Sequence, residues 1–99
     1  MFKSVDYTKA DGTRYFGFTL QATQQELTKV FGKPFTHKDG KGKYVWTVES
    51  DLGPVVTIYD WKHGNFAENQ TIDWNVGMAE KDEGLLVDLE AYIHITLNP

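Results

Sequence analysis

The fold of this chain is decided by residues 55–62, which read Val-Val-Thr-Ile-Tyr-Asp-Trp-Lys. β-branched and aromatic side chains fill this run, and these residue types favour strands. Successive side chains of a strand point to opposite faces, and both sets are mostly apolar here. A strand that is apolar on both faces usually lies in the middle of a sheet, where its neighbours cover it. The run therefore predicts a central strand over Val55–Lys62.

Two further runs predict strands that flank this central one. Residues 71–78 read Thr-Ile-Asp-Trp-Asn-Val-Gly-Met and alternate strictly, which is the pattern of a strand with one buried face. Lys43–Ser50 places Tyr44, Trp46 and Val48 on one face in the same way. A short turn that contains glycine and proline separates this run from the central strand, so we expect the two strands to be antiparallel.

The N-terminal residues predict a hairpin. Phe2–Tyr7 and Thr13–Leu20 are rich in β-prone residues. Asp11-Gly12 between them is a strong turn signal, because glycine accepts a positive φ without steric cost. Gly17 lies inside the second run and would weaken a central strand, so we expect a β-bulge or a close approach of another backbone there.

Two segments predict helices. Thr23 and Glu26 form a capping box, in which each side chain satisfies a backbone donor at the start of the helix. Gly32 is typical of a helix end, so the first helix is expected at about residues 23–31. Leucine and isoleucine at spacings of three and four predict the second helix from about Asp82 to Leu97.

The predicted order of elements is β-β-α-β-β-β-α. Short connections make neighbouring strands antiparallel, and two amphipathic helices need a sheet face that buries their apolar sides. We therefore expect an α+β fold, with an antiparallel sheet of about five strands and both helices packed on one face. The 99 residues contain no repeat or linker, so we expect one domain over residues 1–99.

Composition excludes several classes of protein. The chain has no cysteine, which rules out disulfides and thiolate metal sites. Its formal net charge is −4, whereas a protein that binds duplex nucleic acid needs a basic surface. No apolar run reaches the ~20 residues that span a bilayer, and the N-terminus has no signal-peptide core. We expect a soluble cytoplasmic protein whose partners include neither duplex nucleic acid nor a membrane.

Motifs for catalysis are missing from the sequence. The three histidines do not have metal-ligand spacing, and neither serine lies in a nucleophile elbow. We therefore expect a non-catalytic protein with no metal and no cofactor. One alternative stays open, a small hydrolase in which Asp60, Asp73 and His63 act as general acids and bases.

The first candidate binding residues lie where the central strand ends, at Asp60, Trp61, Lys62 and His63. An unpaired buried carboxylate is costly, so Asp60 is expected to be held by backbone donors or by Lys62, or else to serve a ligand. Trp61 is expected either in the core or at the rim of the sheet. At the rim it would form an aromatic–cation pair with Lys62.

Two other pairs of residues join this set. Arg14 and Tyr15 are a second aromatic–cation pair, which suits a stacked base or a protein partner. Lys41 and Lys43 belong to a cluster of lysines that begins at Lys33. The cluster is interpreted either as a solvated loop or as a loop that faces an anionic ligand.

Several of these segments resemble a small-protein family found in bacteriophage and other viral genomes. The resemblance covers roughly residues 23–78. It rests on a helix end at Phe31-Gly32-Lys33-Pro34, a strand at Tyr44–Val48, the central strand, and a Trp-x-x-Gly strand at Trp74–Gly77. What it implies is a viral origin rather than a reaction. A viral protein of this type is expected to counter a host defence, by binding a host protein or by sequestering a nucleotide.

A host protein is therefore the expected partner. A small anionic nucleotide and a role as a virion accessory protein are the alternatives. A domain of this size would hold a nucleotide between subunits, because pockets form readily at such interfaces. The nucleotide alternative thus predicts a homo-oligomer, whereas a protein partner does not require one.

Overall fold

The computed structural model describes residues 1–36, 44–61 and 65–99. A short 3-10 turn at Tyr7–Ala10 follows the first strand. The fold is α+β, as predicted. In chain order, its strands and helices are β1 (Phe2–Ser4), β2 (Arg14–Ala22), α1 (Gln24–Phe31), β3 (Phe35–Thr36), β4 (Tyr44–Ser50), β5 (Val55–Tyr59), β6 (Ile72–Met78) and α2 (Glu83–Leu97).

The strands form one antiparallel sheet in the order β1-β4-β5-β6-β2. β5 is the central strand, which confirms the prediction from its two apolar faces. A sixth strand, β3, pairs with the beginning of β4, on the edge that β1 occupies farther along. β3 has only two residues. A run that short carries no periodicity, which is why the sequence predicted about five strands.

The predicted N-terminal hairpin is wrong. β1 pairs with β4 at one edge of the sheet, and β2 pairs with β6 at the other. The 3-10 turn connects these edges and carries the chain across β4 and β5. It begins at Asp6, whose carboxylate accepts a hydrogen bond from the Thr8 N–H at 2.9 Å. Asp11-Gly12 does turn the chain into β2, but towards a different partner strand.

β2 contains the β-bulge that was predicted at Gly17. The pairing of β2 with β6 shifts register between Tyr15 and Thr19, and Gly17 has a φ of 92°. A residue with a side chain is strained at that φ, whereas glycine adopts it freely. Its two neighbours, Phe16 and Phe18, are partly buried and pack against the core.

Both helices begin with a side-chain cap. Thr23 Oγ1 accepts from the Glu26 N–H at 3.0 Å and Glu26 Oε1 accepts from the Thr23 N–H at 2.9 Å, which confirms the capping box. α1 ends before Gly32, as predicted. Asp82 caps α2 by accepting a hydrogen bond from the Leu85 N–H at 3.0 Å. In the described ranges, neither helix is long and apolar enough to cross a membrane.

The core lies between one face of the sheet and the two helices. Trp46 and Trp74, expected to be core residues, are buried against each other, with ring centroids 5.2 Å apart and planes at 77°. Each indole N–H donates to a backbone carbonyl, Trp46 to Gly32 at 2.8 Å and Trp74 to Ala22 at 2.9 Å. The rings can therefore be buried completely without leaving a polar atom unsatisfied.

Candidate functional site

The two helices leave one side of the sheet uncovered, and we call this side the helix-free face. Its side chains alternate along each strand with those of the core. They include Val45 and Thr47 of β4, Thr57 and Tyr59 of β5, Asn75 and Gly77 of β6, Tyr15 of β2, and Phe35 of β3. Only the 3-10 turn at Tyr7–Ala10 crosses the β4 and β5 part of this face in the described chain.

A groove of about 240 Å³ lies between the 3-10 turn and strands β2, β4 and β5. The Thr13 and Thr57 hydroxyls are 3.4 Å apart, and Thr13 Oγ1 also donates to the Ala10 carbonyl at 2.7 Å. The groove therefore combines polar and apolar groups. It is lined by Tyr7, Ala10, Thr13, Arg14, Val45, Thr57 and Tyr59.

Gly77 makes room for the Thr57 side chain beneath the groove. It pairs with Thr57 of β5 and with Tyr15 of β2. A Cβ atom added at Gly77 would overlap Thr57 Oγ1. Any larger residue would therefore push the Thr57 hydroxyl out of its place, which explains the glycine of the Trp-x-x-Gly strand.

Large aromatic side chains stay exposed on or beside this face. Tyr15 is 51% exposed, Phe35 46% and Trp61 48%. Tyr7 stacks on Phe35, with ring centroids 4.3 Å apart and planes 12° apart. Asn75 Nδ2 donates to the Trp61 carbonyl at 3.2 Å, which places the main chain at Trp61 on the helix-free side. We call these four residues, Tyr7, Tyr15, Phe35 and Trp61, the aromatic patch. Tyr7 and Phe35 lie at the β3 edge of the sheet and Tyr15 lies at the β2 edge.

Arg14 and Tyr59 both line the groove. The Arg14 guanidinium lies 4.9 Å from the centroid of the Phe16 ring, which packs against the core, in a cation–π arrangement. Burial raises the pKa of the Tyr59 phenol, and the neighbouring Tyr15 raises it further. The phenol is therefore neutral at physiological pH and can donate a hydrogen bond. Among the described residues that line the groove there is no carboxylate.

Asp60 joins two strands. Its side chain is 2% exposed, and Oδ1 accepts a hydrogen bond from the Tyr44 N–H at 3.0 Å. This bond ties the first residue of β4 to the residue that follows β5, and β5 ends at Tyr59 rather than at the predicted Lys62. A backbone donor was one of the two partners that the sequence predicted for this carboxylate.

The structure brings some of the predicted binding residues together. Arg14 lines the groove, and Tyr15 belongs to the aromatic patch beside it. The sequence left two positions open for Trp61, the core or the rim of the sheet. Trp61 lies at the rim. The other predicted residues, Lys41, Lys43, Lys62 and His63, lie outside the described residues.

Sequence reasoning missed three residues of this surface. Tyr7 was assigned to an N-terminal hairpin that the structure does not contain. Phe35 lies in a strand of two residues, which is too short to show a sequence pattern. Thr57 was counted only as part of the central strand. One signal in the sequence does point to it: Thr57 and Tyr59 alternate with the core residue Ile58, so they share the face that the helices do not cover.

A second groove lies where α2 passes β2 and the start of α1, and it contains Glu26, Glu90 and His94. His94 is exposed at its edge. Within the part of the chain that the structure describes, no three histidine or acidic side chains are placed to hold a metal ion. Glu26 is already engaged by the Thr23 N–H. This groove therefore contributes less to a functional argument than the helix-free face.

The chain matches no protein-family model, no curated protein and no solved structure. The resemblance to a viral family stays a prediction, and function has to be inferred from the groove and the aromatic patch.

Proposed function

We propose that this protein is a non-catalytic binding protein and that its aromatic patch is the surface that binds a partner protein. The observation that carries the proposal is the exposure of Tyr15, Phe35 and Trp61, each at about half of its surface, on or beside a face that no helix covers. Tyrosine and tryptophan are enriched among the residues that contribute most to protein–protein binding. They bury a large apolar area and keep a polar atom for a hydrogen bond.

The surroundings of the patch also favour a protein partner. Arg14 lies beside it, and arginine is the third residue type enriched at such sites. The stacking of Tyr7 on Phe35 fixes two rings before any partner arrives. Fixed side chains lose less conformational entropy on binding, so more of the contact energy is available for affinity.

A small anionic nucleotide is the second candidate, and the groove is the observation that favours it. Arg14 and Tyr59 can contact a base or a phosphate, and the Thr13 and Thr57 hydroxyls can add hydrogen bonds. Size favours the protein partner instead. The groove holds about 240 Å³, below the roughly 300–1,000 Å³ of typical ligand pockets. A whole nucleotide would therefore protrude from it.

We further propose that the partner is a host protein, that the chain is encoded by a bacteriophage, and that it counteracts a host defence in the host cytoplasm. The support for this part is the resemblance of residues 23–78 to a family of viral proteins. A protein that acts by occupying a host protein needs a binding surface and no catalytic centre, which is the arrangement proposed here.

Affinity capture from a host-cell lysate tests the protein-partner proposal. We expect the wild-type chain to capture a host protein that the double variant Tyr15→Ala, Phe35→Ala does not capture. Leu52→Ala is the matched control, because Leu52 is apolar and 86% exposed but lies in the turn between β4 and β5. Capture of the same protein by all three chains would contradict a role for the aromatic patch.

A thermal-shift assay with cyclic dinucleotides separates the second candidate from the first. A stabilisation of the wild-type chain that Arg14→Ala abolishes would favour a nucleotide over a protein partner. Arg14 is exposed, so its replacement should leave the melting temperature without ligand nearly unchanged.

A further inference from the structure

β2 forms one edge of the sheet, and the outer side of this strand is open. Within the described residues it pairs with β6 on one side and with no strand on the other. An edge strand presents backbone N–H and C=O groups that have no ladder partner, so it is a template for another strand. The opposite edge is formed by β1 and β3, which have three and two residues and offer little to pair with.

Proteins usually protect an edge strand against pairing, and the second half of β2 lacks this protection. The β-bulge at Gly17 is one protective device, and it interrupts the first half of the strand. Beyond the bulge, Thr19–Ala22 pair regularly with β6. These four residues include no charged side chain and no proline, the two features that ordinarily prevent pairing at an edge. We call Thr19–Ala22 the open edge.

A groove of about 230 Å³ lies beside the open edge, between β2 and the second half of α2, and we call it the edge groove. Its apolar walls are Leu20 and Ala22 from β2, and Ile93 and Leu97 from α2. Pockets for whole small molecules hold roughly 300–1,000 Å³, so the edge groove suits a single side chain instead. A strand added beside β2 would supply one, because its alternate side chains face the helix side of the sheet.

The charges of the edge groove specify a second side chain. Glu26 and Glu90 line the groove, and among the described residues no lysine or arginine lines it. Glu90 is exposed and has no ion-pair partner in the described ranges. Glu26 Oε1 accepts the Thr23 N–H, and a carboxylate accepts hydrogen bonds at both of its oxygens. The two carboxylates therefore attract a cationic side chain.

We propose that the open edge and the edge groove together bind an extended segment of a partner protein, which adds to the sheet as a strand beside β2. The segment places an aliphatic side chain in the edge groove. A lysine or arginine two residues away lies on the same side of the segment and contacts Glu26 and Glu90. Main-chain hydrogen bonds to Thr19–Ala22 hold the segment, and the two side chains select it.

A second copy of this chain fits the same site less well. Arg14 is the only charged residue of β2, and it lies on the far side of the bulge from the open edge. A second β2 strand paired along Thr19–Ala22 would therefore bring no cation to Glu26 and Glu90. The charges of the groove favour a basic segment of another protein.

The site does not rest on the proposed function, because it is built from other residues. The edge groove lies on the helix side of the sheet, whereas the aromatic patch lies on or beside the helix-free face. The tests below use synthetic peptides rather than the natural partner. Their failure would leave the role of the aromatic patch in lysate capture undecided, and failure of that capture would leave the open edge undecided in turn.

Nuclear magnetic resonance titration of the isotope-labelled chain with a synthetic peptide is the first test. The probe is the capped heptapeptide Thr-Lys-Thr-Leu-Thr-Lys-Thr, whose leucine and lysines share one side of an extended strand. We expect saturable shifts of the Thr19–Ala22 amides, slower hydrogen exchange in this stretch, and a Kd of ~1 mM or lower. No saturable change at about 5 mM peptide would overturn the proposal. Changes confined to the helix-free face would overturn it as well.

Two altered peptides test the selection by side chains. Glutamate in place of both lysines should weaken binding at least about ten-fold, because it places like charges together at the groove. Glycine in place of the leucine should also weaken it by about ten-fold, since the buried apolar area is lost. Equal affinity of the probe and either altered peptide would overturn the assignment of the edge groove.

Two N-methylated probes test the strand pairing. Alternate N–H groups of a strand point to opposite edges, so only one alternate set faces β2. One probe carries N-methyl groups on the leucine and both lysines, and the other carries them on the threonines between these residues. We expect one of the two to bind like the parent peptide and the other to lose binding. Equal behaviour of the two methylated probes would overturn strand addition.

A pair of charge substitutions on α2 tests the position of the site. Glu90→Lys should weaken binding of the probe about five-fold or more, because it replaces an attractive charge with a repulsive one. Asp88→Lys makes the same change of charge on the same helix, at an exposed residue outside the edge groove, and should change the Kd less than about two-fold. Both residues are exposed, so both variants should melt like the wild type.

Two results of this series would contradict the site. Equal losses of affinity in Glu90→Lys and Asp88→Lys would show a general charge effect and overturn the proposal. Unchanged binding by Glu90→Lys would overturn it too. A dilution series without peptide completes the test, because shifts of Thr19–Ala22 that depend on protein concentration would show that a second copy occupies the open edge instead.

Discussion

The two faces of the sheet are made from alternate residues of the same strands, yet they differ in what they can do. In β5, Val56 and Ile58 are fully buried beneath the helices. Their neighbours Thr57 and Tyr59 line a groove on the other side. The face that the helices cover stabilises the fold, and its buried side chains are not accessible to another molecule. The face that they leave open has polar groups in a groove and exposed aromatic rings beside it.

Polar atoms are treated differently on the two faces. On the covered face, the indole N–H groups of Trp46 and Trp74 and the carboxylate of Asp60 all have backbone partners. On the helix-free face, the Thr47 hydroxyl is buried and has no hydrogen-bond partner among the described residues. A buried hydroxyl without a partner costs about 1–3 kcal/mol. The helix-free face is therefore the side less optimised for stability.

The largest expected effect comes from comparing one tryptophan on each face. Trp74→Ala removes a fully buried ring and its hydrogen bond to Ala22, so we expect the free energy of unfolding to fall by about 3–5 kcal/mol. Trp61→Ala removes a ring that is 48% exposed, and the change should stay below about 1 kcal/mol. Urea denaturation followed by circular dichroism measures both. Similar losses in the two variants would contradict the division between the faces.

Asp60 tests whether the edge of the covered face is held by a hydrogen bond. Asp60→Ala leaves the Tyr44 N–H without its acceptor, so we expect a loss of about 2–3 kcal/mol in unfolding free energy. Asp60→Asn keeps an oxygen acceptor and should cost less. If the two variants are equally stable, the bond to Tyr44 is not what makes Asp60 important.

Gly77 tests the close packing beneath the groove. Gly77→Ala should lower the unfolding free energy by about 1–3 kcal/mol, because the added Cβ overlaps Thr57 Oγ1. In a Thr57→Ala background the overlapping atom is gone, and the same substitution should cost clearly less. A double-mutant cycle measures this coupling. A cycle that shows no coupling would mean that Thr57 does not explain the glycine.

The smallest effect concerns Tyr59 at alkaline pH. Its raised pKa means that the folded protein keeps the phenolic proton to a higher pH than the unfolded chain does. Above the ordinary tyrosine pKa of 10.0, the unfolded state therefore binds fewer protons, and stability falls as the pH rises. Tyr59→Phe should show a shallower decline above about pH 10 in unfolding experiments. A decline as steep as that of the wild type would argue against the buried phenol.

Features with a local cause were predictable from the sequence. The capping box at Thr23 and Glu26 needs contacts only within one turn, and the bulge at Gly17 needs only a residue that tolerates a positive φ. The N-terminal hairpin was wrong because a turn signal such as Asp11-Gly12 shows where the chain turns and not which strand it joins. Strand partners are decided by competition among distant segments.

The candidate site was predictable to a smaller extent. Arg14, Tyr15 and Trp61 were predicted as binding residues because an aromatic residue lies next to a cation in the chain. Tyr7 and Phe35 gave no such signal, because they stack only after the 3-10 turn and β3 meet over the sheet. Surfaces assembled from separate segments have no pattern within any one of them.

The sequence by itself determined the fold class of this protein, α+β. Alternation in β5 and β6 and the spacing of leucines in α2 are properties of single segments, and they specify a sheet with one face buried by helices. Only the tertiary structure decided which strands lie at the edges, and therefore which side chains share the helix-free face. The physical reason is that strand pairing and ring stacking join residues far apart in the chain. Their free energy depends on what else is packed nearby.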